Sequence, residues 1–279
     1  MTTTATTTEI TTVSEGAPSP PDGGTRIGWA VADTLTVTWR NLIAYTRIPE
    51  FLFFSTVQPI MFVLLFRYVF GGAIHAPGGG PYVDYLMAGI FVQSVAFGSI
   101  STAVGLAEDL QKGLLERFRA LPMARVAVLA GRTTADLVRN VFVVGIITGV
   151  GYAVGFRIGA GVPAFVLSLV LVLLFAYAMS WGFAVIGLSA PNSETAQVMA
   201  FPVLFPLVFA SPAFVPVNSM PGWLQAFAVH QPVGVIIIAT RALENGGPTA
   251  GPVVQALVWC AGLLVVFVPF AIRQYRRRA

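Results

Sequence analysis

The chain has 279 residues, 56% apolar and 10% charged, with 16 Lys plus Arg against 12 Asp plus Glu and a mean hydropathy of +0.79. A soluble domain carries about a quarter charged residues, so the composition excludes a water-soluble globular protein. Apolar runs recur at the length of about 20 residues that crosses about 30 Å of hydrocarbon, which defines a polytopic helical membrane protein.

The first 25 residues form a separate object, with Thr at eight of positions 2 to 12 followed by Pro18, Pro20, Pro21, Gly23 and Gly24. Such a stretch buries too little apolar surface to offset its ordering entropy, so a disordered cytoplasmic tail is expected over 1–25. It lacks the basic start and apolar core of a signal peptide. From 26 to 50, Val31, Leu35, Trp39 and Leu42 fall on one helical face with Arg40, Asn41 and Arg47 off it. The pattern predicts an amphipathic helix in the membrane interface, the alternative being a first turn that leads into a span.

The transmembrane domain then occupies 51–279. Six spans are expected, at about 51–70, 85–107, 137–156, 164–188, 196–217 and 253–272. With the N-terminus inside, thirteen of the sixteen basic residues lie at the cytoplasmic face, leaving Arg67, Arg157 and Arg241 outside. The positive-inside rule therefore places both termini in the cytoplasm of a plasma (inner) membrane protein. The segment from Trp223 to Ala242 is apolar only over Val233 to Ala239; read as a seventh span it would put the basic C-terminal end outside, so an external re-entrant hairpin between spans five and six is expected. Pro202, Pro206 and Pro212 predict a bent or broken fifth span.

The most charged stretch, 108–122, lies between spans two and three. Leu110, Leu114, Phe118 and Leu121 repeat at helical spacing, with Glu108 and Asp109 at the start, Arg117 and Arg119 near the end, and Pro122 as a stop. Glu108 with Lys112, and Lys112 with Glu116, form i, i+4 pairs. An amphipathic helix over 108–121 is expected, either coupling to a partner subunit or lying on the lipid surface. Arg132, Asp136 and Arg139, at the start of span three, read either as an ion-pair cluster beside this segment or as snorkelling anchors. No mid-membrane Asp or Glu is expected inside a span, which argues against an ion-coupled transporter.

What is missing also bears on function. The single Lys, Lys112, follows Gln111, so the chain cannot carry the Gly-Lys-Ser/Thr of a phosphate-gripping loop, and nucleotide hydrolysis must occur in another polypeptide. His75 and His230 are the two histidines, and neither belongs to a His-Glu-x-x-His metal motif; His230 reads as structural or interfacial rather than as a proton relay. The single Cys260 permits no disulfide within the chain.

Glu116-Arg-Phe-Arg-Ala-Leu-Pro122, Gly155-Phe-Arg157, Met220-Pro-Gly-Trp-Leu-Gln225, Gln231-Pro232 and Arg241-Ala-Leu243 ahead of Gly246-Gly247, in this order relative to the spans, resemble the ABC-2 type permeases, in particular their daunorubicin-resistance branch. The resemblance covers about residues 26 to 279 and implies an all-α membrane subunit with six transmembrane helices, working as a dimer, homo- or hetero-, with a separate cytosolic ABC ATPase that holds ATP and Mg. It implies no cofactor, metal or catalytic residue in this chain and no nucleic-acid partner. By that analogy Trp39, Arg40, Glu108, Asp109, Lys112, Leu114, Glu116, Arg117 and Phe118 couple to the ATPase. Gln93, Phe97, Phe201, Phe205 and Phe209 line the substrate path, and Trp223, Phe227, His230 and Arg241 belong to an external lid. The expected function is export of an amphipathic drug or lipid through the bilayer. A polysaccharide or glycolipid exporter permease and a non-transporting scaffold subunit are the alternatives.

Overall fold

At membrane depth no water satisfies the backbone, so apolar runs become helices, and irregular chain survives only where protein covers it. The computed structural model describes residues 26–47, 49–74, 80–114 and 125–278. Among these the chain forms α1 (Arg26–Arg47), α2 (Pro49–Leu65) with a π-turn (Phe66–Phe70), α3 (Tyr82–Gly98), α4 (Ile100–Gln111) and α5 (Arg125–Ala153). It continues as α6 (Val162–Ser189), α7 (Ser193–Phe209), α8 (Gly222–His230), α9 (Pro232–Asn245) and α10 (Ala250–Arg278). No strand occurs among the described residues. The tail at 1–25, His75 and residues 115–124 lie outside them.

Among the described residues four helices are long and apolar enough to cross a bilayer: Tyr82–Gln111, in which α3 and α4 join at Ser99, Val126–Ala153, Val162–Ser189 and Ala250–Arg278. The pair α8 and α9, bent by 74°, raises the number to five if it counts as one span. The spans expected at 51–70 and 196–217 correspond to shorter apolar helices, Ser55–Phe70 and Ser193–Phe209. In α7, Pro202 and Pro206 each remove a backbone donor and the helix ends at Phe209, so Pro212 lies beyond it rather than within it.

The non-helical chain after α7 is satisfied by side chains. Tyr82 donates its hydroxyl to Phe214 O at 2.8 Å and Tyr85 to Pro212 O at 3.3 Å. Arg241 donates to Pro212 O and Tyr85 O, both at 2.9 Å, and stacks 3.5 Å from the Tyr85 ring. Gly89 of α3 makes room for this strap, since a Cβ there would collide with the Ala213 backbone.

Helix α6 is the central element, packing against α10, α4, α9 and α5. Its Gly187 lets α4 approach closely, because a Cβ would strike the Ala103 backbone. Helix α1 lies along α5, where Val37 fits over Gly131 and Thr38 donates to Gly131 O at 3.2 Å. Val31, Leu35 and Trp39 are exposed on its opposite face, while Leu42 is half-buried. At the α8–α9 bend, Gln231 accepts from Val233 N at 2.9 Å and donates to Leu207 O at 2.8 Å. Helix α9 is largely buried, with Val233, Ile236 and Ile237 in the core, whereas α8 exposes Trp223 and Phe227.

Two expectations are corrected. The stretch expected as one helix over 108–121 begins as the last turn of α4; Gly113, at φ 63°, turns the chain after Lys112, the left-handed conformation that ends helices. Span three begins not at 137 but within a helix that starts at Arg125, so Asp136 is carried inside a long apolar helix and is fully buried. Glu244, near the end of α9, is also fully buried.

Candidate functional site

The facing sides of α4 and α5 carry matched polar positions. Arg132 and Arg139 are two turns apart on α5, and Gly98 and Gly105 are two turns apart along α3 and α4. A Cβ at Gly105 would collide with the Arg132 guanidinium, and one at Gly98 would crowd Asn140 and Arg139. The absence of a side chain at each glycine is what seats the arginines. Arg139 donates to Gly98 O at 2.8 Å, satisfying a carbonyl freed at the α3–α4 junction, and Arg132 donates to Ser101 O at 3.3 Å.

Asp136 sits between the two arginines. It accepts hydrogen bonds from the hydroxyls of Tyr45, Ser101 and Thr102, and its carboxylate lies 3.7 Å from Arg139. A buried charge costs several kcal/mol unless paired and hydrogen-bonded. With Asp136 at 0% and Arg139 at 4% exposure, this is an internal ion pair and not a pair of snorkelling anchors. Burial, then the Asp136 carboxylate beside it, pushes the Tyr45 phenol above its ordinary pKa. One turn beyond the ladder, Asp109 lies 3.7 Å from Arg132 and 4.0 Å from Arg40, tying α4 to both α5 and α1. These two cations offset the unfavourable position of a carboxylate at a helix C-terminus. Lys112 pairs with Glu108 at 2.5 Å, as the spacing predicts; the hydrogen bond to Glu108 and its charge raise the exposed Lys112 ammonium.

A cavity of about 840 Å³ opens beside this ladder, between α1, α2, α3, α4, α5 and α7. It brings together two groups that the sequence separates. Arg40, Glu108, Asp109, Lys112 and Leu114 line one end, and Gln93, Phe97 and Phe201 line the other. Phe97 meets Phe201 edge-on at 6.3 Å between centroids. Phe205 and Phe209 do not line it; they pack on each other at 4.3 Å along the exposed face of α7, with Phe209 continuing to Phe214 at 5.7 Å. Trp39 is turned away from the cavity, 67% exposed on the other side of α1. Glu116, Arg117 and Phe118 lie outside the described residues.

The residues expected in the lid divide. Trp223, Phe227 and His230 are exposed on α8, His230 with its Nδ1 2.8 Å from Ala226 O. Arg241 instead faces inward from α9 as the tie to α3 and the strap after α7, on the wall of a second cavity of about 620 Å³ that also includes Asp84, Arg157 and Asn245. Sequence reasoning passed over Tyr45, Ser101, Thr102, Asn41 and Asn140. The equal seven-residue spacings of Gly98 with Gly105 and of Arg132 with Arg139 are the signal that could have found this face.

A chain whose described residues form helices and no strand, several of membrane length around a cavity of mixed polarity, is a polytopic membrane subunit. A family model described as ABC-2 type transporter matches residues 32–245. The chain is 35% identical over 251 residues to the daunorubicin resistance ABC transporter permease protein DrrB1 of Streptomyces coeruleorubidus, covering 89% of this chain and 88% of that one. It is 29% identical over 248 residues to the probable doxorubicin resistance ABC transporter permease protein DrrC of Mycobacterium tuberculosis, covering 88% and 89%. It is 24% identical over 218 residues to the putative transport permease ycf38 of Cyanophora paradoxa, covering 77% and 75%. The chain belongs to the ABC-2 type transporter family. It is the multi-pass permease subunit of an ABC exporter and not itself an enzyme, the ATP being hydrolysed by a separate ATPase subunit.

Proposed function

We propose that this permease moves an amphipathic drug or lipid outward across the plasma membrane, with six spans per chain, both termini in the cytoplasm, and two permease chains served by cytosolic ATPases that hold ATP and Mg. The six-span reading counts the four long helices with Ser55–Phe70 and Ser193–Phe209 and takes α8–α9 as a re-entrant outer hairpin. In this reading the turn at Lys112 and Gly113, with α1 beside it, meets the ATPase.

The observation that carries the proposal is the continuity of one cavity from Arg40, Asp109 and Lys112 to Gln93, Phe97 and Phe201. A rearrangement of the docking end is felt directly on the wall that would hold substrate. The Arg132–Asp136–Arg139 ladder makes that wall stiff, so displacement of α4 carries α5 and α1 with it. The relatives named for daunorubicin and doxorubicin resistance favour a small amphipathic cargo.

Co-expression with the ATPase tests the coupling end. Reversing charge at Glu108 and Glu116 together, or replacing Leu114 and Phe118 by Asp, is expected to abolish co-purification and substrate-stimulated ATP hydrolysis while membrane insertion persists. Unchanged co-purification and stimulation in both variants would refute the assignment.

A further inference from the structure

Three helices bring the same pair of side chains to the larger cavity. Gln58 and Phe62 of α2, Gln93 and Phe97 of α3, and Gln197 and Phe201 of α7 are each four residues apart, which sets amide and ring on one face of each helix, and all six line the cavity. Helices α3 and α7 run antiparallel, since Phe97 meets Phe201 while Tyr85, earlier in α3, bonds Pro212, beyond the end of α7. Gln93 and Gln197 therefore lie on opposite sides of the Phe97–Phe201 pair, each about 6 Å away along its helix. Gln58 and Gln197 are exposed, and neither side chain makes a hydrogen bond among the described residues.

The charges on the wall are answered within the protein. Arg40 and Arg132 share Asp109, Arg139 pairs with Asp136 and Lys112 with Glu108, each within 4.0 Å. Among the described residues no charged side chain reaches the cavity from α2, α3 or α7. A charged group placed between the phenylalanines would be unpaired, which is costly. A primary amide both donates and accepts, so it serves uncharged hydroxyl and carbonyl groups alike. The volume of about 840 Å³ suits a drug-sized molecule, whose sites span about 300–1,000 Å³.

We propose that the cavity takes an uncharged amphipath with hydroxyl or carbonyl groups distributed along an apolar body, the body lying against Phe62, Phe97 and Phe201 and the oxygens met by Gln58, Gln93 and Gln197, which set specificity. The proposal rests on the cavity being the substrate path. A molecule with all its polarity at one end would leave an amide on the far side of the phenylalanine pair facing hydrocarbon.

The test uses the purified full-length permease in a neutral detergent, with protein-free micelles as the reference and thermal melting as the check on folding. It measures binding of four probes that share one rigid apolar body: hydrocortisone, with hydroxyls and carbonyls along its length; progesterone, which lacks the hydroxyls; hydrocortisone 21-phosphate; and hydrocortisone with its 21-hydroxyl replaced by trimethylammonium. Hydrocortisone is expected to bind about tenfold or more tighter than either charged analogue and about threefold or more tighter than progesterone. Gln58→Leu with Gln93→Leu and Gln197→Leu should erase the preference for hydrocortisone over progesterone. If that triple variant fails to fold, Gln197→Glu, close in shape and at an exposed position, should shift the preference about tenfold toward the ammonium analogue. Phe97→Ala with Phe201→Ala should weaken hydrocortisone and progesterone alike. Charged analogues binding as tightly as hydrocortisone, with all still weakened by the phenylalanine variant, would overturn the selection for an uncharged ligand and leave the path reading standing. Progesterone binding as tightly as hydrocortisone, or a preference that survives the glutamine variants, would overturn the role of the amides. Binding of none of the four, or binding indifferent to Phe97 and Phe201, would overturn the path reading and this proposal with it.

Discussion

Asp136 determines how α1, α4 and α5 hold together at the residue scale. Its carboxylate gathers hydroxyls from α1 and α4 and a guanidinium from its own helix, so three elements meet at one buried charge. Breaking a buried pair by removing one partner costs about 3–5 kcal/mol, whereas replacing both by apolar residues is often close to neutral. Asp136→Leu should therefore lower the melting temperature of the purified permease sharply, and Asp136→Leu with Arg139→Leu should recover part of the loss. A double variant as unstable as the two single losses added together would contradict this account of the pair. The glycines give a second, graded expectation. At Gly187 an added Cβ meets the backbone of Ala103, which cannot step aside, whereas at Gly98 it meets the ends of the Asn140 and Arg139 side chains. Gly187→Ala should destabilise by about 1–3 kcal/mol, the usual cost of overpacking, and Gly98→Ala by less; melting curves for the two variants, ranked, check the order.

At the scale of elements, α1 shows what periodicity can and cannot convey. The stripe Val31, Leu35 and Trp39 was readable as one face of a helix, and that face is exposed. The face that docks on α5 was not readable, because Val37 and Thr38 are small or polar and their partner is the bare backbone at Gly131. Gly131→Leu should lift α1 from α5, since a side chain there runs into Val37 and the Thr34 carbonyl. Limited trypsin digestion should then cut at Arg40 or Arg47 in the variant and spare them in the parent protein; equal resistance would mean that α1 is held by something other than this contact. The segment after Glu108 teaches the converse. Its leucine spacing read as one helix because the repeat runs through Gly113 without a break, yet the glycine at that position turns the chain. Hydrophobic periodicity records which residues share a face, and a single left-handed residue is invisible to it.

For the whole molecule, the apolar runs gave the fold class and the central helices to within a few residues, as at Val162–Ser189. They misjudged length where the backbone departs from a helix within an apolar run, as beyond Phe209, where Pro212 and Phe214 remain apolar but belong to the strap held by Tyr82, Tyr85 and Arg241. The candidate site was half legible. Charged residues at 108–112 and aromatics at 97 and 201 stood out by type, but that they share one cavity depends on α1, α2, α5 and α7 closing around them, which no local pattern encodes. The central claim is that this cavity opens to the side where the ATPase binds. With Cys260→Ala removing the one native thiol, which is buried, Ser94→Cys places a small reporter on the cavity wall. A membrane-impermeant maleimide should label it from the face that carries the ATPase, more slowly when a bound amphipath is present, and not from the opposite face; labelling solely from the opposite face, or at a rate no amphipath changes, would contradict the account.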